Sequence, residues 1–530
     1  LNRESPEAPV HDGERNSGGD DWQSYRLLVE RALAGDHEAA VFGLLERLKK
    51  TCDVTLRARI LNDLGVLFAE TGDNLRACQC FAEAMELDAT WATPQENLRL
   101  LSEARPGPGS SQSQLTNWRQ KRIGIVSLLF NWPSTGGGTV HTAELARFLS
   151  RSGYEVQHFV VVYSGWSVGT ISEPVDWPVT RVEFRDFEWN RGEIQRRLRK
   201  AVDDFQPDSV IITDSWNFKP RLAEALRGYR YFLRLAAQEC LCPLNNVRLL
   251  LHDNEPPQSC PKHQLATPEA CLQCLAHRGR WSGALHQAER KLAGHGEPDY
   301  NLSLKSAFAN AAGILVVNPL IAELCKPYAQ AVHVVPSGFD ADRFALTAPP
   351  PRSGRSPVRL LFAGLVDEPM KGFAVLHSAC SQLWQVRQDF RLLATADPIG
   401  RVDDFTEFIG WQSQQCLPEV LAGTDVVICP TIAEEALGRT AVEAMGAGRP
   451  VLASRIGGLP FTVLDEATGL LCEPADPADL QRQLVRLLDS HELRERLGQA
   501  GRQRFLTHYT WDAILGRHYH KLLGAPVKHR

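Results

Sequence analysis

Two glutamates, Glu435 and Glu443, flank a glycine-containing turn in EEALGRTAVEAMGAGRPVLAS, which runs from Glu434 to Ser454. The apolar run DVVICP, ending at Pro430, reads as a strand, and TIAEEALG as the loop beyond its carboxyl end. RTAVEAMGAG then reads as a helix and PVLAS as the next strand. Glu435 therefore belongs to the loop, and Glu443 lies about two turns into the helix. Carboxylates accept hydrogen bonds from hydroxyls, so the pair suits two parts of one elongated ligand, a sugar and a ribose. Between them, the free N–H groups around Gly438, Arg439 and Thr440 at the helix start suit a diphosphate. Upstream, the strand VRLLFAG ends at Gly364, and Lys371-Gly372 opens a helix. A lysine there can neutralise the same diphosphate, although a solvated lysine at a helix start has the same signature. A nucleotide-sugar fits this layout from end to end.

Two further groups carry chemistry. In NWPSTGGGTVHTAEL, Gly136, Gly137 and Gly138 precede a helix, where the backbone can approach a phosphate or a sugar oxygen. This is not the G-x-G-x-x-G fingerprint, and alone it reads as a tight turn. Five cysteines, Cys240, Cys242, Cys260, Cys271 and Cys274, fall within 35 residues. Cys242, Cys260, Cys271 and Cys274 could form a tetrahedral thiolate zinc site pinning an insertion, with His263 or His252 able to replace one of them. Free or weakly buried thiols are the alternative reading.

The elements around these residues set their context. Residues 1–20 are polar and predicted to be disordered. Residues 21–104 have a helical pattern. Within it Leu64-Gly65, Phe68, Gly72, Ala77, Phe81, Ala84 and Leu87 follow the rhythm of a tetratricopeptide helix pair, and Asp21 to Lys50 reads as a weaker first copy. One good repeat is too few to stand alone, so a helical cap is expected, with a docking surface as the other reading. A Pro/Gly/Ser linker spans 105–120. Apolar runs then alternate with helical stretches: RIGIVSLLF, EVQHFVVVY, DSVIIT, YFLRLAA, GILVVN and HVVP, over residues 121–346, including a Cys-rich insertion at 238–280. The Pro-rich break 347–357 acts as a hinge. A second series follows over 358–530: VRLLFAG, DFRLLATA, FTEFIGW, DVVICP, PVLAS and GLLCEP, then a helical tail from Ala478. The predicted architecture is α/β: two tandem Rossmann-like doubly wound domains facing a cleft, preceded by a small all-α cap.

Composition agrees. With 530 residues, 43% hydrophobic and 23% charged, the chain is too long for one core and reads as soluble and globular. A net charge of -5 gives no footprint for nucleic acid or an anionic membrane. No apolar run approaches the ~18 residues of a membrane span, and the start has no signal-peptide core. The expected setting is cytoplasmic, with peripheral membrane attachment left open, and the thirteen cysteines are expected to be mostly reduced.

Taken together, the motifs resemble those of a GT-B glycosyltransferase of family 4, the retaining group-1 type. GGGTVHTAELARFLSRSGYEV, VVPSGFDADRF, FAGLVDEPMKG, the Glu435/Glu443 pair, EAMGAGRPVLASRIGGLP and ATGLLCEPADPADL occur in the family's order over about residues 121 to 507. The resemblance implies that Glu435 contacts the donor sugar and Glu443 binds the ribose. Lys371 and the Gly438/Arg439/Thr440 turn would hold the diphosphate, and Gly136–Gly138 would lie across the cleft near phosphates and acceptor. Base recognition would lie near Gly410-Trp411. No metal would be needed for the donor, and a zinc, if bound, would be structural.

The chain departs from the pattern in three places. Gly364-Leu365 lacks the usual arginine, a role that Arg439 could take. GGLP runs into Phe461 rather than a glutamate. Ala236 occupies the slot of a strand-end histidine, for which Gln238/Glu239 or His252 in HDNE are the candidate replacements. If VRLLL is a strand, His252 sits at the cleft; if it belongs to the Cys-rich loop, His252 is a metal ligand or a surface residue, and the loop reading is preferred. The donor base, sugar and acceptor are not legible; peptide or protein, small-molecule, polysaccharide and lipid-linked acceptors are all compatible. A nucleotide-sugar epimerase and a degenerate sugar-nucleotide sensor or scaffold are the rival readings.

Overall fold

The computed structural model describes residues 19–34, 36–70, 74–103, 120–134, 136–250, 258–344, 356–398 and 403–526. The chain forms two units, residues 1–117 and 118–530. Among the described residues the first unit is all helical: Gly19–Leu33, His37–Lys50, Val54–Glu70, Asn74–Leu87 and Ala92–Glu103. Its tightest contact explains a glycine. A Cβ at Gly65 would stand 2.5 Å from the Phe81 ring, so the two helices approach only because position 65 has no side chain. Ala77, Phe81 and Ala84 are fully buried on the same face. Gly43 plays the same part against Leu28. A polar thread crosses the core, where the Tyr25 hydroxyl donates to Asp63 at 2.7 Å and Asn97 donates to Asn62 at 3.0 Å.

The second unit holds two parallel sheets. The first is built from β1 (Arg122–Ser127), β2 (Glu155–Val162), β3 (Val179–Glu183), β4 (Ser209–Thr213) and β5 (Tyr231–Leu235). A small antiparallel pair, β6 (Leu249–Leu250) and β7 (Gln258–Ser259), interrupts it, and β8 (Gly313–Val316) and β9 (Val332–Val334) complete it. Among the described residues the order is β3-β2-β1-β4-β5-β8-β9. The second sheet uses β10 (Val358–Phe362), β11 (Phe390–Ala394), β12 (Thr406–Phe408), β13 (Val426–Cys429), β14 (Val451–Ser454) and β15 (Gly469–Cys472), in the order β12-β11-β10-β13-β14-β15. The central strands β4 and β5 are buried along their whole length. That is why they read as apolar runs, interrupted in β5 by the buried Arg234, rather than as alternating ones. In each sheet the strand order reverses beside the first strand, between β1 and β4 and between β10 and β13. Ligands of open α/β sheets bind beyond the carboxyl ends at such points.

Three features bear on the sequence expectation. β3, with the sequence VTRVE, was not anticipated, because as an edge strand it buries only Val182. Among the described residues VRLLL contributes β6, paired with β7 outside the main sheets, as the preferred loop reading expects. The end of the chain does not stay with the second domain. Helix His491–His508 packs there, but Trp511, Ile514, Leu515, Tyr519 and Leu523 join the core of the first domain. The driving force is burial of large apolar side chains against helix Gly137–Arg151. The Trp511 ring stacks on His141 and Phe148, each with centroids 5.3 Å away. Its other face fills the space over Gly338, where a Cβ would stand 2.3 Å from the ring.

Trp511 is 1% exposed, so Trp511→Ala should leave a large cavity and cost about 3–5 kcal/mol. Urea denaturation of the full chain checks this, and a midpoint unchanged from wild type would show that the returning tail is not anchored there.

Candidate functional site

The carboxyl ends of β10 and β13 are stitched together by backbone contacts. Ile432 N–H donates to the Met370 carbonyl at 2.9 Å, and the Thr431 hydroxyl donates to the same oxygen at 2.7 Å. Gly372 has φ +75°, and a Cβ there would stand 1.9 Å from the Pro430 carbonyl oxygen. Only glycine permits that approach. The turn Pro369–Lys371 is thereby pressed onto the loop that carries Glu435. Lys371 Nζ lies 3.1 Å from Glu435 Oε2. The Glu435 carboxylate raises the lysine pKa by its charge and its hydrogen bond, against burial, which lowers it.

The far side of this loop is held just as closely. Gly458 N–H donates to the Glu435 carbonyl at 2.6 Å, and a Cβ at Gly458 would stand 1.9 Å from the Ala436 carbonyl oxygen. The Gly-Gly of RIGGLP is therefore a seat for the Glu435 backbone. From the first domain, Asn318 Nδ2 donates to the Ala436 carbonyl at 2.6 Å, while its Oδ1 caps the helix Pro319–Cys325. Asn318 was missed in the sequence, where GILVVNP signals only a helix cap.

Beyond the loop, Gly438 caps helix Arg439–Gly446 with φ +75°. Thr440 Oγ1 donates to the Ala363 carbonyl at 3.4 Å, tying this helix start to the strand end next to Gly364. Arg439 crosses to the first domain. Its guanidinium carbon lies 4.3 Å from the centroid of the Phe339 ring. Arg439 Nη2 is 3.6 Å from Glu144 Oε2 and 3.8 Å from Glu443 Oε1. Both carboxylates are nearly inaccessible, and Arg343 Nη1 adds a 3.4 Å contact to Glu144 Oε1. Among the described residues, Arg439 Nη1 and Nη2, Glu443 Oε1 and Glu144 Oε2 have no hydrogen-bond partner. Glu144 was also missed. It sits in TVHTAELARFL, which reads as amphipathic, yet the helix buries Val140 through Ala146 without a break.

The glycine loop meets this cluster. A Cβ at Gly137 would stand 2.8 Å from Arg439 Cδ, and one at Gly138 would stand 3.2 Å from the Ala236 Cβ. The structure thus gathers Gly137, Gly138, Ala236, Arg439 and Glu443 around one stretch of the cleft, with Glu435 on the loop preceding Arg439 and Lys371 on the turn pressed against that loop. Gly136 caps the helix and donates its N–H to Ser134 Oγ at 3.1 Å.

The replacements for the missing histidine fare differently. The Glu239 carboxylate folds back onto its own turn, accepting from the N–H groups of Ala236 at 3.1 Å and Ala237 at 2.7 Å. It closes the end of β5, with Lys219 Nζ 3.9 Å away. Gln238 Nε2 donates to Glu434 Oε2 at 2.7 Å, and Arg248 grips the same carboxylate at 3.0 and 3.2 Å. Glu434, adjacent to Glu435, is therefore the residue that ties the loop to β5. His252 lies outside the described residues. Trp411 is 52% exposed beyond β12, with its indole free to stack.

At the switch point of the first sheet stands a residue with no motif to announce it. Asp214, φ +37°, follows β4 and accepts from Ser127 Oγ and Thr139 Oγ1, both at 3.1 Å. Burial raises its pKa against these hydroxyls and Lys219. Ser127 also meets His158 at 2.8 Å, where burial holds the imidazole neutral with a pKa near 3.

Comparison with known proteins fits this geometry. Residues 401–504 match the family described as glycosyl transferases group 1. Over 196 residues, 35% of this chain and 46% of the relative, the sequence is 33% identical to the MMP alpha-(1->4)-mannosyltransferase of Mycolicibacterium hassiacum. Over 213 residues, 37% of this chain and 55% of the relative, it is 32% identical to the phosphatidyl-myo-inositol mannosyltransferase of Mycobacterium tuberculosis. The chain spans about half the length of these curated relatives. Among solved structures, sucrose-phosphate synthase from Thermosynechococcus elongatus aligns over 77% of this chain and 100% of its own, with TM-score 0.52 and 19% identity. The two-domain architecture is GT-B. Among the described residues no helix is long and apolar enough to cross a membrane.

Burial raises the pKa of Glu443 and of Glu144 above the ordinary 4.5, and Arg439 pulls each back. A carboxyl whose folded pKa lies above its unfolded one stabilises the fold fully below about pH 4.5. That contribution is lost as the pH rises through the folded pKa. Arg439→Ala should cost about 3–5 kcal/mol at neutral pH, because two buried carboxylates lose their main cation. The deficit should shrink as the pH falls from about 8 to about 5. Urea midpoints across that range check this; a pH-independent deficit would contradict it.

Proposed function

We propose that the chain is a retaining glycosyltransferase that moves a sugar from a nucleotide diphosphate sugar, a UDP-sugar by preference, to a hydroxyl acceptor. The observation that carries this reading is the set of buried polar atoms without partners. Two Arg439 nitrogens and Glu443 Oε1 have unused hydrogen-bonding capacity, and the Arg439 stem lies against Gly137. A buried polar group left unpaired costs about 1–3 kcal/mol, and a ligand carrying phosphate oxygens and a diol supplies the complements. Glu443 takes the ribose hydroxyls. Lys371, Arg439 and the N–H groups at the start of helix Arg439–Gly446 take the diphosphate. Glu435, once phosphate competes for Lys371, takes the sugar hydroxyls. The group 1 match over 401–504 and the two mannosyltransferase relatives support this assignment.

In the reaction the bond from the anomeric carbon to the leaving phosphate oxygen breaks. The acceptor oxygen bonds to the same face, and its proton passes to the departing phosphate. No protein base is needed in this scheme, which accommodates Ala236 at the end of β5. The protein's work is positioning and charge stabilisation. The same Ala236 also favours a second reading, a sugar-nucleotide sensor that binds without turnover.

Thermal-shift titration against UDP-, GDP-, ADP- and TDP-sugars, with hydrolysis followed in the same wells, separates the two. One donor should raise the melting temperature and slowly release its nucleotide; a shift without release under any acceptor would favour the sensor, and no shift would sink both. Lys371→Ala should weaken donor binding by about 10–100-fold, equivalent to ~1.5–3 kcal/mol for a charge-assisted hydrogen bond. Glu443→Ala should weaken binding chiefly, whereas Glu435→Ala should abolish transfer with little effect on folding; unchanged turnover in the latter would remove Glu435 from the site.

A further inference from the structure

Between β5 and β8 the insertion encloses a cavity of about 420 Å³. Cys242, Cys260, Cys271 and Cys274 all line it, brought from the turn after β5, the end of β7 and helix Pro268–Arg278. The fifth cysteine of the cluster does not. Cys240 Sγ points the other way and donates to the Trp216 carbonyl at 3.0 Å. His263 is not in the lining either and packs edge-on against Tyr328. The sequence named these four cysteines, with His263 or His252 able to replace one; the fold brings the four to one cavity and leaves His263 out of its lining, while His252 lies outside the described residues.

Their surroundings are rich in cations. Among the described residues no carboxylate lines the cavity, whereas Arg248, Lys262 and Arg278 do. Burial raises the Cys242 pKa, and the backbone N–H groups of Asn245, Leu244 and Arg248 donate toward its sulfur against that rise. Such donors stabilise the charged sulfur over the thiol. Cys242, Cys260 and Cys274 are each near enough to Cys271 to act on its charge. Four neighbouring thiols with cations around them are a poor apolar core but a good donor set for a divalent ion. As they stand, no three His, Cys, Asp or Glu side chains among the described residues are grouped to hold an ion. A cysteine side chain has a single rotor, and all four already face the same cavity.

We propose that Cys242, Cys260, Cys271 and Cys274 form a structural tetrathiolate site for zinc. The site closes by rotation of the thiols, with loss of one proton from each. Four thiolates and Zn²⁺ leave a net charge of about −2, which Arg248, Lys262 and Arg278 offset. The inference is independent of the sugar-transfer reading.

The test is metal analysis of the full chain, purified without chelator from zinc-supplemented medium. About one zinc per chain is expected, with Cys240→Ser keeping it and Cys271→Ser/Cys274→Ser losing it. Should the double variant fail to fold, cobalt exchange into the unmutated chain gives a second reading. Thiolate-to-cobalt charge-transfer bands and intense tetrahedral d–d bands support the site. Zinc well below stoichiometric together with no cobalt–thiolate bands overturns it, and so does a folded double variant that retains stoichiometric zinc.

Discussion

One arginine shared between two buried carboxylates governs the cleft. Arg439 comes from the second domain, Glu144 from the first, and Glu443 lies one turn further along the helix that Arg439 begins. Charges so far from water persist only if they compensate each other or serve a ligand. Here compensation is partial: separations of 3.6 and 3.8 Å give Coulomb attraction without good hydrogen bonds. The incompleteness points to a ligand, because two Arg439 nitrogens and Glu443 Oε1 keep unused hydrogen-bonding capacity. The loop must in turn be glycine, since Arg439 Cδ occupies the space of a Gly137 side chain. Residues 300 apart in the chain are thus bound to one solution.

Around that cluster the donor-side loop is fixed by backbone rather than by side chains. Gly372 against Pro430 and Gly458 against Ala436 are approaches that any Cβ would forbid. Holding a loop this way leaves the side chains of Lys371 and Glu435 free to exchange their mutual contact for a ligand, while the main chain stays in place. Preorganisation of this kind lowers the cost of ordering a site on binding.

The sheets and the Glu435 loop were legible in the sequence because both have strong local signals. All six strands of the second domain fall within short runs that read as strands, and the glycines and Glu435/Glu443 keep a fixed spacing. What escaped notice has a nonlocal cause. β3 pairs along one edge and shows no apolar run. Glu144 is buried only because the second domain brings Arg439 to it. Asn318 looks like an ordinary helix cap, and its second bond reaches 118 residues away. The tail beyond Thr510 continues a helical pattern, and nothing local says that Trp511 returns to the first domain. Glu239, plausible by position at the strand end, is consumed by its own turn.

The insertion explains how the first domain still shapes the cleft without a histidine on β5. Gln238 and Arg248 both reach Glu434, the neighbour of Glu435. Arg248 also lines the cysteine cavity. The guanidinium therefore has the cysteine cavity on one side and the donor-side loop on the other. Its position depends on how firmly the insertion is held, since among the described residues β6 and β7 offer two residue pairs of ladder. A two-strand ribbon that short is not stable alone. Something else has to fix it, and the four thiols that share the cavity are the polarisable, cation-surrounded groups placed to do so. The side of the cleft facing Gly138 and Ala236 would then take its shape from the insertion rather than from a proton-moving residue at the strand end.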